Sequence, residues 1–101
     1  MATSNPILPS QIRPPAVAGR FYPGDPAELR ELINALLAQV PPATGSGPKA
    51  IIAPHAGYVY SGPIAASAYA QFIPARDRIQ RIILLGPSHY VAVSGLATSS
   101  A

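Results

Sequence analysis

The sequence predicts an α/β fold, and three observations carry that reading. Two short apolar runs, residues 49–54 (KAIIAP) and 81–86 (RIILLG), have the continuous, β-branched character of strands covered on both faces. A segment of helical periodicity, residues 63–72, lies between them. A second helical segment with a strong start signal precedes the first run. Strand, helix, strand of this length is a βαβ unit, with parallel neighbours and a right-handed crossover, set in a parallel or mixed sheet with flanking helices.

The first helix has the clearest local signal. Asp25 can accept from the free N–H groups of a first turn, Pro26 suits the first helical position, and Glu28 completes a D-P-A-E pattern resembling a capping box. Leu29, Leu32, Ile33, Leu36, Leu37 and Val40 then recur at helical spacing and form one apolar stripe, which Pro41 and Pro42 terminate. Residues 42–48 are a loop by composition. In the crossover helix, Ile64, Ala65, Ala68, Tyr69 and Phe72 share a face, with Ser61 or Gly62 as cap and Pro63 as first residue. Residues 1–12, rich in Ser, Pro and Asn, read as a flexible tail, which leaves residues 13–101 as the ordered part of one domain. The chain ends in LATSSA with no closing element, and two strands with one helix do not make a sheet core, so it reads as the truncated amino-terminal part of a longer domain.

Composition narrows the function classes. Of 101 residues, 49% are hydrophobic and 11% charged, which argues against disorder and for elements buried on several sides. The net charge of +3 is scattered, and the one cluster, Arg76, Arg78 and Arg81, reads as a solvated loop, so no nucleic-acid partner is expected. There is no cysteine and therefore no disulfide framework. No apolar stretch reaches the ~18 residues of a membrane span, and the start of the chain lacks a secretory leader. The expected location is cytoplasmic, with no membrane association.

The chain's two histidines stand just beyond the two predicted strands, in Ala53-Pro54-His55-Ala56-Gly57 and Gly86-Pro87-Ser88-His89-Tyr90. If the strands are neighbours ~4.8 Å apart, both imidazoles emerge at the carboxyl edge, where open α/β sheets bind ligands. Two neutral imidazoles there can share a metal ion; the bland alternative is two unrelated loop histidines bonded to nearby backbone. The crossover helix would begin at the same edge, its amino end favouring an anionic group. Tyr58 and Tyr60 flank that turn, as ligand contacts or as packing for the loop. Gly57 and Gly62 read first as turn residues.

Residues 13–22 (RPPAVAGRFY), 51–62 (IIAPHAGYVYSG) and 84–89 (LLGPSH) together resemble the Memo family, also called AmmeMemoRadiSam system protein B. The resemblance spans residues 13–101 and implies a fold similar to the extradiol ring-cleaving (LigB-like) dioxygenases. It implies iron or copper as cofactor, held by His55, His89 and a cysteine later in the family's chain, which this chain lacks. It implies an oxidoreductase once complete, with catalytic residues undefined and the fragment inactive by itself. An alternative that it also implies is a pocket for an anionic, phosphotyrosine-like peptide or a small metabolite, with Phe21 and Tyr60 on its wall; Tyr58, Ser61, Gly62 and Ser88 are further candidate ligand-binding residues by their place in the sequence. A radical SAM partner follows from the family name alone. Tyr90 stands where many members carry a second histidine. No carboxylate readily replaces the thiolate: Asp25 is used in capping, and Asp77 precedes the second strand, about 20 Å from the carboxyl edge at ~3.3 Å per residue. A purely structural domain is the third reading.

Overall fold

In a computed structural model, which describes residues 6, 8 and 11–99, the helix predicted after Asp25 forms as α1, Pro26–Ala38. Asp25 sits in extended backbone, and its Oδ2 accepts from the Glu28 N–H at 3.0 Å, so the first turn has its cap. At the other end the Gln39 and Val40 N–H groups donate to the Leu36 and Leu37 carbonyls, three residues back, tightening the last turn before Pro41. The six stripe residues from Leu29 to Val40 are all half-buried and no residue of α1 is fully buried. Only one side of the helix is covered.

The cover is α2, Tyr58–Tyr69, which continues as a 3-10 segment, Ala70–Ala75. Sequence reasoning placed this helix at residues 63–72 with Ser61 or Gly62 as cap; it starts five residues earlier, with Gly57 as cap, and carries Pro63 inside it. Proline is tolerated there because the bond it cannot make would go to the carbonyl of Val59, a residue 91% exposed, where water can take its place. The inward face also differs from the one read from periodicity. Ser61, Gly62, Ala66 and Ala70 are buried, whereas Ile64 and Tyr69 face solvent at least in half.

Small residues on that face let the two helices approach closely. A methyl on Gly62 would lie 3.0 Å from Leu36 Cδ1, so the absence of a side chain is what admits Leu36. The buried apolar side chains are Ala66, Ala70 and Ala75, each a single methyl group worth roughly 1 kcal/mol when taken from water. Most of the packing energy of the helix pair therefore comes from the half-buried α1 stripe. Ahead of α1, Gly19, with φ 80°, closes a turn in which its N–H donates to the Tyr22 carbonyl and the Arg20 and Phe21 N–H groups donate to the Val17 carbonyl. The loop after α1 is tied down as well. Gly47 packs against Ala75, and the Arg78 guanidinium donates to the Ser46 carbonyl at 2.8 Å.

The βαβ expectation is not met. Among the described residues there is no strand, and the single bridge joins Ala18 to Tyr22. Residues 49–54 and 81–86 lack ladder partners although their composition suits strands. A strand exists only through a neighbour, and an apolar run covered on both faces needs layers above and below it. Here Ile52 is 100% and Ile83 89% exposed, so neither requirement is satisfied.

The chain divides into two compact units, Val17–Ile82 and a second made of Met1–Ala16 with Ile83–Ala101, and the division falls inside the second predicted strand. The first holds both helices and all the buried residues. Every described residue of the second is exposed. The tail expected at residues 1–12 lies mostly outside the described residues. Among them no helix is long and apolar enough to cross a membrane.

Candidate functional site at the start of α2

The turn at residues 54–57 is built by three kinds of contact. Pro54 fixes its own φ and restricts the residue before it, so the chain arrives at His55 with little freedom. At the far side, the Tyr58 N–H donates to the Phe21 carbonyl at 2.8 Å, which ties the start of α2 to the turn of residues 17–22. Gly57 lies against this same backbone: a Cβ built on it would be 3.5 Å from the Phe21 oxygen and 3.8 Å from Tyr60 Cδ2. The Tyr22 and Tyr58 rings meet at 5.6 Å, tilted by 41°, and stitch the two segments on their side-chain side. Finally, the Ser61 hydroxyl donates back to the Ala56 carbonyl at 3.0 Å, with the Gly57 carbonyl at 3.4 Å.

One unit of the fold thus collects six of the residues singled out by sequence. His55 is exposed, Tyr60 is 86% and Phe21 44% exposed, and Tyr58 is half-buried. Ser61 and Gly62 are buried, the hydroxyl on backbone carbonyls and the glycine against Leu36. Their places are inside the helix, because α2 begins at Tyr58. The N–H groups of Tyr58, Tyr60 and Ser61 already have the Phe21 and Gly57 carbonyls as partners, so few donors of the helix start remain for an anion.

Ser88 and His89 belong to the other unit. The Ser88 hydroxyl donates to the Val91 carbonyl and closes a short turn, and the His89 and Tyr90 rings stand edge to face at 6.4 Å. Tyr90 is an exposed neighbour of His89. Among the described residues no group of three or more His, Cys, Asp or Glu could hold a metal. Imidazole nitrogen is a donor that iron and copper accept, but each unit holds one histidine, so a complete ligand set needs donors beyond those of either unit.

Two features of the site escaped the sequence. The Phe21 carbonyl, not only its ring, receives the start of α2; a backbone acceptor leaves no mark in residue identity. Ser61 acts as a backbone clasp, and its position four and five residues after the carbonyls it bonds was the available signal.

The comparisons with known proteins follow the same residues. The sequence matches the family described as Memo-like protein over residues 13–101. A MEMO1 family protein of Aquifex aeolicus is 46% identical over 80 residues, covering 78% of this chain and 28% of the relative. One from Methanopyrus kandleri is 42% identical over 94 residues, covering 85% and 33%. Protein MEMO1 of Homo sapiens is 46% identical over 83 residues, covering 82% and 27%. The chain therefore spans roughly a quarter to a third of the length of these relatives. No solved structure matches. With the family matched across residues 13–101, including both histidine segments and the turn that receives α2, the chain belongs to the Memo-like protein family.

Proposed function

We propose that this chain contributes two imidazole ligands, His55 and His89, to a Memo-type metal centre for iron or copper, in a cytoplasmic protein that acts as an oxidoreductase when complete. The observation that supports this most is the site of His55: an exposed imidazole on a turn fixed by Pro54, the Phe21 carbonyl and the Ser61 hydroxyl. Exposure leaves the ring accessible to an ion, and a fixed backbone lowers the entropy lost when it is ligated. In the longer family chain, residues 49–54 and 81–86 pair as strands of a LigB-like sheet, which carries His55 and His89 to one edge. A cysteine from beyond residue 101 completes the ligand set. A bound iron or copper ion would supply Lewis-acid or one-electron chemistry at open coordination positions. The residues of this chain hold the ion and shape the wall beside it.

A second reading has its own support in the Phe21 and Tyr60 rings, both substantially exposed in the same unit as His55. They suit stacking against a small-molecule or phosphotyrosine-like peptide ligand, with Tyr58 as a polar contact. Because most early N–H groups of α2 have carbonyl partners, such a ligand would depend on side chains, and metal binding is the reading we favour.

Metal analysis of a chain extended to the length of its relatives tests the proposal. The extended chain retains about one iron or copper ion per molecule, the 101-residue chain binds either weakly, and His55→Ala or His89→Ala abolishes retention. Full metal retention in both histidine variants, with loss of peptide or metabolite binding only, would replace this reading by the second.

A further inference from the structure

We infer that Gly57 is a size-determining residue of the ligand wall, its bare α-carbon keeping open the crevice where Phe21 and Tyr60 meet; this rests on the aromatic-wall reading above. Five other glycines have a structural reason. Gly19, Gly45, Gly47 and Gly95 hold positive φ, and Gly62 admits Leu36. Gly57 has neither reason. Its φ of −54° and ψ of 151° lie near polyproline backbone, which any L-residue adopts. A Cβ built there meets only ordinary contacts: 3.5 Å to the Phe21 oxygen, 3.6 Å to the Phe21 Cα and 3.8 Å to Tyr60 Cδ2. Capping does not ask for glycine either, since a side-chain oxygen caps a helix at least as well, as Asp25 does for α1.

What surrounds the missing Cβ supplies the reason. Its three nearest atoms all belong to Phe21 and Tyr60, the two residues of the wall. Phe21 comes to it by its main chain, held there by the bond from the Tyr58 N–H, and Tyr60 comes by the edge of its ring. Both residues are substantially exposed while Gly57 is half-buried, so the crevice has its floor at the glycine and its walls in solvent. A methyl at position 57 fits the fold without strain and still fills that floor, where a bound group comes closest to the backbone. The ligand that matches is a flat aryl ring with its charge at the far end, such as an aryl phosphate. Its ring enters the crevice, and its anion stays toward water, because the Tyr58, Tyr60 and Ser61 N–H groups already have carbonyl partners.

The test uses the 101-residue chain with phenyl phosphate as probe. Binding is read from the ring resonances of Phe21, and folding from helicity and the melting temperature. Gly57→Ala keeps the helicity and melts no lower than the parent, because a compatible alanine restricts the unfolded chain. It nevertheless weakens phenyl phosphate about tenfold, the low end for one methylene too many in an apolar pocket. Tyr60→Ala, which removes one side of the wall, weakens the probe at least as much. Gly57→Ser, whose hydroxyl suits a cap, supplies a second readout should Gly57→Ala disturb the fold. If either folded Gly57 variant binds the probe as the parent does while Tyr60→Ala is impaired, the inference is overturned and the wall stands. If both variants lose the fold, the glycine is structural and the inference is overturned as well. No binding by the parent, or binding that Tyr60→Ala leaves unchanged, would instead sink the wall reading and this inference with it.

Discussion

Replacing Gly45 and Gly47 separately by alanine divides backbone strain from packing in the loop that leads toward His55. Both glycines have positive φ, 92° and 87°, so either alanine would have to occupy the left-handed region. That conformation costs an L-residue about 1–2 kcal/mol, of which about 0.4–1 kcal/mol is returned because the unfolded chain loses freedom. At Gly45 an added methyl meets nothing within 4 Å, so strain alone acts and the net cost is about 1 kcal/mol. At Gly47 the methyl would stand 3.1 Å from Ala75 Cβ and 3.4 Å from the Gln71 carbonyl oxygen. Carbon atoms prefer about 3.5–4.0 Å, and Ala75 is buried with no flexible end to yield. Overpacking of this kind adds about 1–3 kcal/mol, which takes Gly47→Ala to about 2–4 kcal/mol. Urea unfolding followed at 222 nm measures both. If the two variants lie within ~0.5 kcal/mol of each other, at the level of an ordinary surface change, then the loop is not seated on the 3-10 segment and the reasoning fails.

Three further outcomes are expected. Asp25→Ala removes the oxygen that receives the Glu28 N–H and costs about 1 kcal/mol, while Asp25→Asn keeps most of the cap; thermal melts of helicity check both. Arg78→Ala deletes the bond to the Ser46 carbonyl, and since it is exposed the loss is at most about 1 kcal/mol, visible as faster protease cleavage at residues 41–48 with Arg78→Lys in between. Tyr60→Ala, at a side chain 86% exposed, shifts stability by no more than ~0.5 kcal/mol and spares metal retention in the extended chain while weakening an aromatic-stacked ligand, so equal loss of metal in Tyr60→Ala and His55→Ala would contradict the division of roles between ring and imidazole.

The helices show how far sequence alone reaches. For α1 every signal agreed: cap, first-position proline and an apolar stripe, of which all but Val40 lie within the helix. For α2 the signals conflicted. Pro63 after Ser61 and Gly62 looked like a start because proline favours the first position, and residues 58–62, with two tyrosines, a valine, a serine and a glycine, are individually modest helix formers. Tertiary contacts decided otherwise. The Phe21 carbonyl offers an acceptor to the Tyr58 N–H, and the close approach to Leu36 rewards a small residue at position 62. Neither contact is local, so neither could be read from the neighbouring residues. The buried face was misjudged for the same reason: the larger side chains Ile64 and Tyr69 suggested a core, but a close helix pair selects Gly62, Ala66 and Ala70.

The candidate site divides along the same line. Residue identity was enough to single out His55, Phe21, Tyr58, Tyr60, Ser61 and Gly62, and contacts within one unit bring them to the start of α2. Linking His55 to His89 required something different in kind, the pairing of residues 49–54 with 81–86, and pairing is a property of a sheet. In those runs Ile52 at 100%, Ile82 at 82%, Ile83 at 89% and Leu84 at 82% stand almost bare. Bare apolar surface at these four positions costs about 25 cal/mol for each Å² left in water, a driving force that only strand neighbours and a covering layer would satisfy. The local turn at His55 does not depend on that sheet: Pro54, Phe21 and Ser61 shape it within a unit that contains both helices. A preformed turn awaiting its second histidine is therefore the physical content of the metal-centre proposal. It follows that the order of residues 55–57 should be the same in the 101-residue chain and in the extended one, while residues 81–86 should gain amide protection only in the latter.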